Sequence, residues 1–407
     1  MKCRHCNNSL TDLVIDLGQQ PPSNSYLTET DLSKKEEYFP LKIYICSSCF
    51  LVQTQDTTDK KTFFNSDYSY FSSTSKTWLE HAKQYATKIV DEFKLDKNSF
   101  VLEIASNDGY LLKNFKEMKI PCLGIEPTKS TAKKAKEIGI NTCIEFFDLR
   151  LANKITEKFG QADLIVCNNV YAHVPDINDF TKSIEKSLKK DAVVTLEFPH
   201  LLNLIQKCQF DTMYHEHYSY LSVKTVKQIF EKHNLRIFKV EKIPTHGGSV
   251  RIYACRKNAG FQNHRSVGKI ISEEIQAGLF NLTKYREFQK NAEQIKLNFQ
   301  NFLMKAKADS KKVCAYGAAA KGNTLINYAG VNSDLIPFVA DASDAKINKF
   351  LPGSRIPICN PQTLFEFKPD YVVILPWNLA SEIKKQFLKL SEQGCKFFTF
   401  VPQIEEF

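Results

Sequence analysis

No run of about eighteen apolar residues occurs in this 407-residue sequence, so no ordinary membrane-spanning helix is expected. The first residues, Met1-Lys2-Cys3-Arg4-His5-Cys6, lack the apolar core of a secretory leader, and none is expected. The net charge of +10 is scattered in short lysine-rich patches. Without a basic stripe, no nucleic-acid partner is expected. Both the triple-glycine turn GxGxxG and the helix motif HExxH are missing. Apolar content of 43% and charged content of 25% are ordinary for a globular chain, and the length calls for two or three domains.

Cysteine, by contrast, is plentiful. Of twelve, eight stand singly, several in apolar strands such as Leu164-Ile165-Val166-Cys167 and Val313-Cys314-Ala315-Tyr316, where buried reduced thiols are expected. This usage points to a reducing, cytoplasmic setting. The other four form two knuckles, Cys3-x-x-Cys6 and Cys46-x-x-Cys49. Tetrahedral zinc takes four soft ligands, and two CxxC turns present four thiolates with N–H groups aimed at the sulfurs. Cys3, Cys6, Cys46 and Cys49 are therefore the expected ligands of a structural Zn2+, with His5 able to replace one of them. A redox use is disfavoured, because neither knuckle lies in a βαβ context.

Ser99-Phe100-Val101-Leu102-Glu103-Ile104 reads as a buried strand running into the turn Ala105-Ser106-Asn107-Asp108-Gly109 and then a helix. A second strand, Cys122-Leu123-Gly124-Ile125, ends at Glu126, placed where a carboxylate accepts two ribose hydroxyls. Thr142 to Asp148 and Ala162 to Asn169 read as the third and fourth strands, delivering Asp148 and Asn169 to the same sheet edge. Open α/β sheets bind ligands at the carboxyl ends of their strands. NAD stays open on this pattern. Glu103, able to hold an ammonium, and the missing pyrophosphate turn favour S-adenosylmethionine. The expected donor contacts are Glu103, Ala105, Ser106, Asn107, Asp108, Gly109, Glu126, Asp148 and Asn169.

The run Met213-Tyr214-His215-Glu216-His217-Tyr218 is dense in groups that move protons. Beside a methyl donor, such a cluster suits transfer to carbon, which needs a base to become nucleophilic. The rival reading is a metal site, since His215 and His217 would share one face of a strand. His246, in a glycine-flanked turn before the strand Ser249-Val250-Arg251-Ile252-Tyr253-Ala254, is either a ligand contact or structural. His200, after Glu197-Phe198-Pro199, is a candidate to line the same pocket but reads better as core or surface, and His81, His233 and His264 read as surface.

From Lys269 to Lys307 apolar residues recur at helical spacing, which predicts one or two long helices with a break at Gly278. A second α/β unit follows. Val313 to Tyr316 reads as a strand, Gly317 to Gly322 as a tight turn with Lys321 inside it, and Asn323 onward as a helix. Further strands are expected at 335–340, 371–375 and 397–401. A helix N-terminus with a lysine suits a diphosphate as well as a dinucleotide. Lys346 and Arg355, flanking a Pro-Gly loop, are candidates to join it.

Taken in order, these motifs resemble the nucleotide-sugar C-methyltransferases, such as the NDP-4-keto-6-deoxyhexose 3-C-methyltransferases. The resemblance covers nearly the whole chain. It rests on the paired CxxC knuckles, Tyr68-Ser69-Tyr70-Phe71-Ser72-Ser73, and Glu103 to Gly109. It continues through Asn169-Val170-Tyr171-Ala172-His173-Val174-Pro175-Asp176, Glu197-Phe198-Pro199, Tyr214-His215-Glu216-His217 and Thr245 to Arg251. Tyr316 to Gly322 and Pro376-Trp377-Asn378 complete it. The resemblance implies an α/β chain in three parts: a small zinc-binding module over 1–62, a Rossmann-like S-adenosylmethionine methyltransferase domain over 63–262, and a linker helix with a second Rossmann-like, substrate-binding domain over 263–407. It implies His217 as the base, with Tyr214, Glu216, His173 and Tyr70 as catalytic partners, Tyr68 being the alternative to Tyr70. It further implies a nucleotide-linked ketosugar as the substrate, with Lys321 and Asn323 of the C-terminal turn holding it alongside His246.

The chemistry is coherent. A hydrogen next to a ketone is acidified but still needs a positioned base of near-neutral pKa. Tyr214 and His173 are candidates to stabilise the enolate oxygen, and Glu216 to orient an imidazole, fix its tautomer or bind a sugar hydroxyl. The rival classes are an O- or N-methyltransferase of a small metabolite and a zinc-ribbon protein that binds ligand without turnover.

Overall fold

The computed structural model describes residues 1–56 and 71–407. The first unit is built on strands β1 (Asp12–Gln20), β2 (Phe39–Ile45) and β3 (Val52–Thr54), paired antiparallel in sequence order. Strand β2 turns Leu41, Ile43 and Ile45 inward at every second position, as a sheet with one buried face requires.

Helix α1 (Lys76–Phe93) opens the second unit. Ser75 caps its first turn by accepting from the Trp78 N–H, and Lys94 ends it in the left-handed region. There follow β4 (Val101–Ile104), α2 (Leu112–Glu117), β5 (Cys122–Ile125), α3 (Lys129–Glu137), β6 (Thr142–Cys143), α4 (Leu149–Phe159) and β7 (Ala162–Asn168). Next come α5 (Ile177–Ser187), β8 (Leu188–Pro199), α6 (Leu201–Gln206), β9 (Ser219–Tyr220), α7 (Val223–Lys232), β10 (Leu235–Ile243) and β11 (Ser249–Arg256). Seven of these strands form one sheet in the order β10-β11-β8-β7-β4-β5-β6, parallel from β8 to β6 and antiparallel at β10 and β11.

Strand β9 does not join that sheet. It pairs with β3, so the first unit's sheet runs β1-β2-β3-β9 and takes its fourth strand from the segment just after His217. The third expected strand is shorter than its sequence suggested. Pairing with β5 ends at Ile125↔Cys143, beyond which Phe146 and Phe147 turn into a cavity and Asp148 caps α4.

The helical stretch is two helices, α8 (Ser266–Gln276) and α9 (Phe288–Ala308), broken where Gly278 takes a φ of 79°. The third unit contains β12 (Val313–Tyr316), α10 (Ala320–Ala329), β13 (Val339–Ala340), β14 (Ile358–Cys359), α11 (Thr363–Phe367), β15 (Tyr371–Ile374), α12 (Ala380–Gln386), α13 (Leu388–Glu392), β16 (Lys396–Thr399) and β17 (Glu405–Glu406). Its sheet order is β14-β13-β12-β15-β16-β17. Of the strand expected at 335–340 only Val339 and Ala340 pair, because 332–336 forms a turn closed by Ile336 N–H to Asn332 O at 3.1 Å. One apolar core joins Val14, Ile15 and Leu41 of the first sheet to Leu204 of α6, Phe299 of α9 and Val339 of the third. The first unit is therefore welded to the other two through shared packing.

Candidate active site

The two knuckles converge. Asn7 and Phe50, each in the left-handed region, return their N–H groups to the carbonyls of Cys3 and Cys46 at 2.9 Å. The four sulfurs lie within 4.8 Å of one another, with Cys3–Cys49 and Cys6–Cys46 both at 3.5 Å. Zinc–sulfur bonds of about 2.3 Å in a tetrahedron set sulfurs roughly 3.8 Å apart, so these residues fit the ion. Contact with Cys49, aided by backbone N–H groups and by Gln53 Nε2 at 3.2 Å, holds the Cys3 thiol low, and contact with Cys3 and burial push Cys49 up. His5 turns its Nδ1 to Asn178 Oδ1 at 2.9 Å, which leaves the ligand set as four cysteines.

A long cavity runs from the ends of β4, β5 and β7 to the first turn of α10. At its donor end, Ala105 (φ 59°) and Asn107 (φ 50°) adopt the conformation usually reserved for glycine, so the turn bends without a glycine at its first position. Glu126 is fixed by the N–H groups of Asn107 (3.0 Å) and Thr128 (2.9 Å). Phe146, Phe147 and Asp148 form one wall, and Asp148 also accepts from Leu151 N at 2.8 Å. The Oδ1 atoms of Asn168 and Asn169 are buried with no partner among the described residues, and both side chains line the cavity. Orphaned acceptors, a fixed carboxylate and an aromatic wall fit the hydroxyls, ammonium and ring of S-adenosylmethionine.

Four expected donor contacts lie behind this lining. Glu103 is buried beneath the turn, and burial, then the charges of Asp108 and Glu126, push its carboxyl well above the usual range. The structure therefore places Glu103 under the turn and not in the cavity lining, where the expectation had set it. Ser106 packs on Gly124, where a Cβ would come within 2.3 Å of Ser106 Oγ. Asp108 accepts from Ser73 N at 3.0 Å, and Gly109 turns the chain toward α2 with φ 79°.

The acceptor end gathers the His-Glu-His run, which is a turn closed by His217 N–H to Tyr214 O at 2.9 Å and not a strand. His215 therefore leaves the site, its Nε2 3.3 Å from Phe39 O. That separation removes the two-histidine metal reading; among the described residues only the four cysteines cluster as metal ligands. His217 Nδ1 lies 2.9 Å from Thr212 O, a group that only accepts, so Nδ1 carries the proton. Its Nε2 then accepts from Tyr214 Oη at 2.6 Å. The tautomer is fixed by Thr212 and not by Glu216. Thr54 of β3 donates its hydroxyl to the His217 carbonyl. The His173 ring is 4.6 Å from that of His217 and bonds the Glu216 backbone.

His246 lines the cavity with φ 54° and sits edge-on to Trp78 at 5.2 Å. Its neighbour Gly247 is pressed on Trp377, where a Cβ would come within 2.3 Å of the indole. Lys321 donates to Asn378 Oδ1 at 2.6 Å and lies 4.5 Å above Trp377, whose Nε1 donates to Asp211 Oδ2 at 2.7 Å. Lys346 also lines the cavity, bonding Ala318 O at 2.8 Å. Arg355 instead donates to Leu32 O on the outer surface. Asn323 is not in the lining: its Nδ2 holds Ser23 O at 2.6 Å. Tyr70 and Tyr68 lie outside the described residues.

Burial dominates the charge balance. It holds His217 well below the ordinary imidazole value, with help from His173, and brings His173 and His246 down to about 4. These rings are neutral near pH 7, so His217 Nε2 carries no proton, and the downward shift departs from the near-neutral value expected of the base. Burial also pushes Glu216 up to about 7 against hydrogen bonds from Asn24, and Asp211 up to about 6 against the charge of Lys321. Burial lowers Lys321 itself.

The pattern in the sequence missed several of these groups. His81, read as surface, stacks on Trp78 at 4.8 Å and reaches Glu197 at 2.9 Å. Arg251 and Thr245 share that carboxylate at 2.6 and 3.0 Å, and burial's upward push is overcome, bringing Glu197 down to about 2. His200 is core, 2.7 Å from Glu274. Asn24 had no local signal at all.

Three family models match the chain: a zinc binding domain over residues 3–64, a methyltransferase domain over 78–240, and a C-methyltransferase C-terminal domain over 244–402. The C-methyltransferase NovU of Streptomyces niveus is 30% identical over 405 residues, 99% of this chain and 96% of that protein. Among solved structures, an S-adenosylmethionine-dependent methyltransferase from Clostridium acetobutylicum is 12% identical with a TM-score of 0.36, covering 44% of this chain and 92% of its own. One from Archaeoglobus fulgidus is 16% identical with a TM-score of 0.37, covering 43% and 93%.

Proposed function

Since the chain belongs to the family of the C-methyltransferase NovU, and is an S-adenosylmethionine-dependent C-methyltransferase carrying a structural zinc site, we propose that its acceptor is a nucleotide-linked 4-keto-deoxysugar, methylated at the carbon beside the ketone, C3. The observation that carries this reading is the orientation of His217. One ring nitrogen is pinned as a donor to Thr212 O, so the other presents its lone pair to the cavity, capped by Tyr214 Oη.

In this reading His217 Nε2 takes the proton from C3. The C3–H electron pair becomes the C3–C4 π bond while the carbonyl π pair moves onto the ketone oxygen, which takes the charge. Tyr214 Oη leaves Nε2 as the proton arrives and donates to that oxygen, where a preorganised donor lowers the barrier by about 3 kcal/mol. His173 holds the Glu216 main chain and packs on the base, which keeps the turn in register. Glu216 accepts a sugar hydroxyl. Bound S-adenosylmethionine supplies an electrophilic methyl on a sulfonium, with Glu126, Asn168 and Asn169 holding it at the donor end. The proton on His217 returns to solvent after the product leaves. Lys321, Lys346 and the first turn of α10 receive the diphosphate, since a helix N-terminus and two ammonium groups complement its charge. Asn323 acts at one remove, through Ser23.

The test is incubation with methyl-labelled donor and a panel of nucleotide-linked 4-ketosugars, with the label located by NMR. Label on a ring carbon beside the ketone is expected. Label on oxygen or nitrogen, or transfer only to acceptors without a nucleotide, overturns the reading.

A further inference from the structure

Glu216 is 1% exposed, yet it faces the acceptor cavity. One carboxylate oxygen, Oε2, accepts from Asn24 Nδ2 at 2.7 Å. The other, Oε1, has no partner among the described residues. Asn24 is far away in sequence, on a loop of the zinc unit with no regular structure, and the same residue supplies a backbone hydrogen bond to the carboxyl.

That loop is held at both ends and in its middle. Pro21 packs at Gly353, where an added Cβ would come within 3.0 Å of Pro21 Cγ. Ser23 O accepts from Asn323 Nδ2 at 2.6 Å. Tyr26 Oη donates to Ala318 O at 2.6 Å, and Leu27 pairs with Phe350 through N–H bonds of 2.9 and 2.8 Å. All these anchors belong to the C-terminal unit. A side chain carried on a segment clamped in this way delivers its donor at a fixed point and loses little entropy in doing so.

We propose that Asn24 is a positioning residue: the zinc unit inserts it between the His-Glu-His turn and the C-terminal unit so that its two N–H donors hold Glu216 with Oε1 turned to the acceptor. The proposal rests on the reading that Glu216 meets the acceptor. Burial acts on Glu216 upward and both Asn24 bonds act downward. Other titratable groups share the space. Tyr26 lies on the same loop, Lys346 is committed to Ala318 O and to Asp341 at 3.6 Å, Lys321 is held by Asn378, and His173 and His217 are neutral. With the cations engaged elsewhere, Asn24 supplies the hydrogen bonds that favour the carboxylate. The zinc unit thereby acquires a part in the reaction as well as in folding.

The experiment is isotope-edited infrared titration of Glu216 in zinc-loaded, full-length protein with S-adenosylhomocysteine, its band identified by loss in Glu216→Gln. Asn24→Asp keeps the shape but turns a donor into an acid, and Asn24→Ala removes the side-chain donor only. The midpoint should rise by about one pH unit or more in Asn24→Asp and by a smaller amount in Asn24→Ala. S-adenosylhomocysteine affinity should stay within about threefold, since the donor end is untouched. Turnover should show kcat falling about tenfold, with the pH profile displaced the same way. A midpoint within about 0.2 units of wild type in both variants overturns the proposal. A displaced midpoint in a protein that methylates no ketosugar upholds the role of Asn24 and instead overturns the acceptor assignment.

Discussion

Replacing Tyr214 by Phe removes one oxygen and keeps the ring, whose centroid is 3.9 Å from that of His217. Two effects oppose each other. In the resting site Tyr214 Oη occupies the lone pair of Nε2 at 2.6 Å, and breaking that bond costs about 1 kcal/mol net. The variant is spared this cost. In the proposed transition state the same hydroxyl donates to the developing oxyanion, worth about 3 kcal/mol. The second term wins by about 2 kcal/mol, so kcat should fall roughly thirty-fold. Initial rates of methyl transfer at saturating donor and ketosugar measure it directly, and the variant's urea midpoint should be nearly unchanged. Equal or faster turnover in Tyr214→Phe would refute the reasoning, because it would mean the hydroxyl serves only to restrain the base.

Three further outcomes follow from the geometry. Stripping zinc with a chelator should abolish methyl transfer while S-adenosylhomocysteine still binds, because β3 pairs with β9 and Thr54 holds the His217 carbonyl; full turnover in protein shown metal-free by elemental analysis would contradict this. Glu197→Ala leaves the buried Arg251 without its carboxylate and should cost about 3–5 kcal/mol in urea denaturation. Glu216 has a folded pKa raised to about 7 from an ordinary value of 4.5. Its protonated form therefore contributes stability that is fully present below pH 4.5 and lost as pH rises through 7. That is about 3 kcal/mol, and Glu216→Gln should flatten this part of the stability profile.

Much of this was legible in the sequence because it is local. A CxxC pair is a four-residue turn, and the strand-to-turn passage from Glu103 to Gly109 writes its own shape. What escaped was long-range or depended on direction. Strand β9 is only Ser219 and Tyr220, and nothing in two residues announces a partner at Val52 and Gln53. Asn24 meets Glu216 across 192 positions. Glu103 was legible as a strand-end acid, but period-two alternation decides which face it takes, and that face lies under the turn. His81 sits among charged neighbours on α1, which made it look solvated, yet Glu197 and Trp78 claim its ring. The His-Glu-His run shows its chemistry in its composition, but not the turn that sends His215 to Phe39 O.

The central claim is that the His217 imidazole removes a proton from carbon. Solvent deuterium exchange tests it most directly, with the ketosugar incubated in D2O with enzyme and S-adenosylhomocysteine, so that no methyl transfer intervenes. Wild type should wash deuterium into C3, and His217→Asn should slow that exchange by at least about a hundred-fold while still binding S-adenosylhomocysteine. Exchange at C3 that proceeds undiminished in His217→Asn would contradict the account.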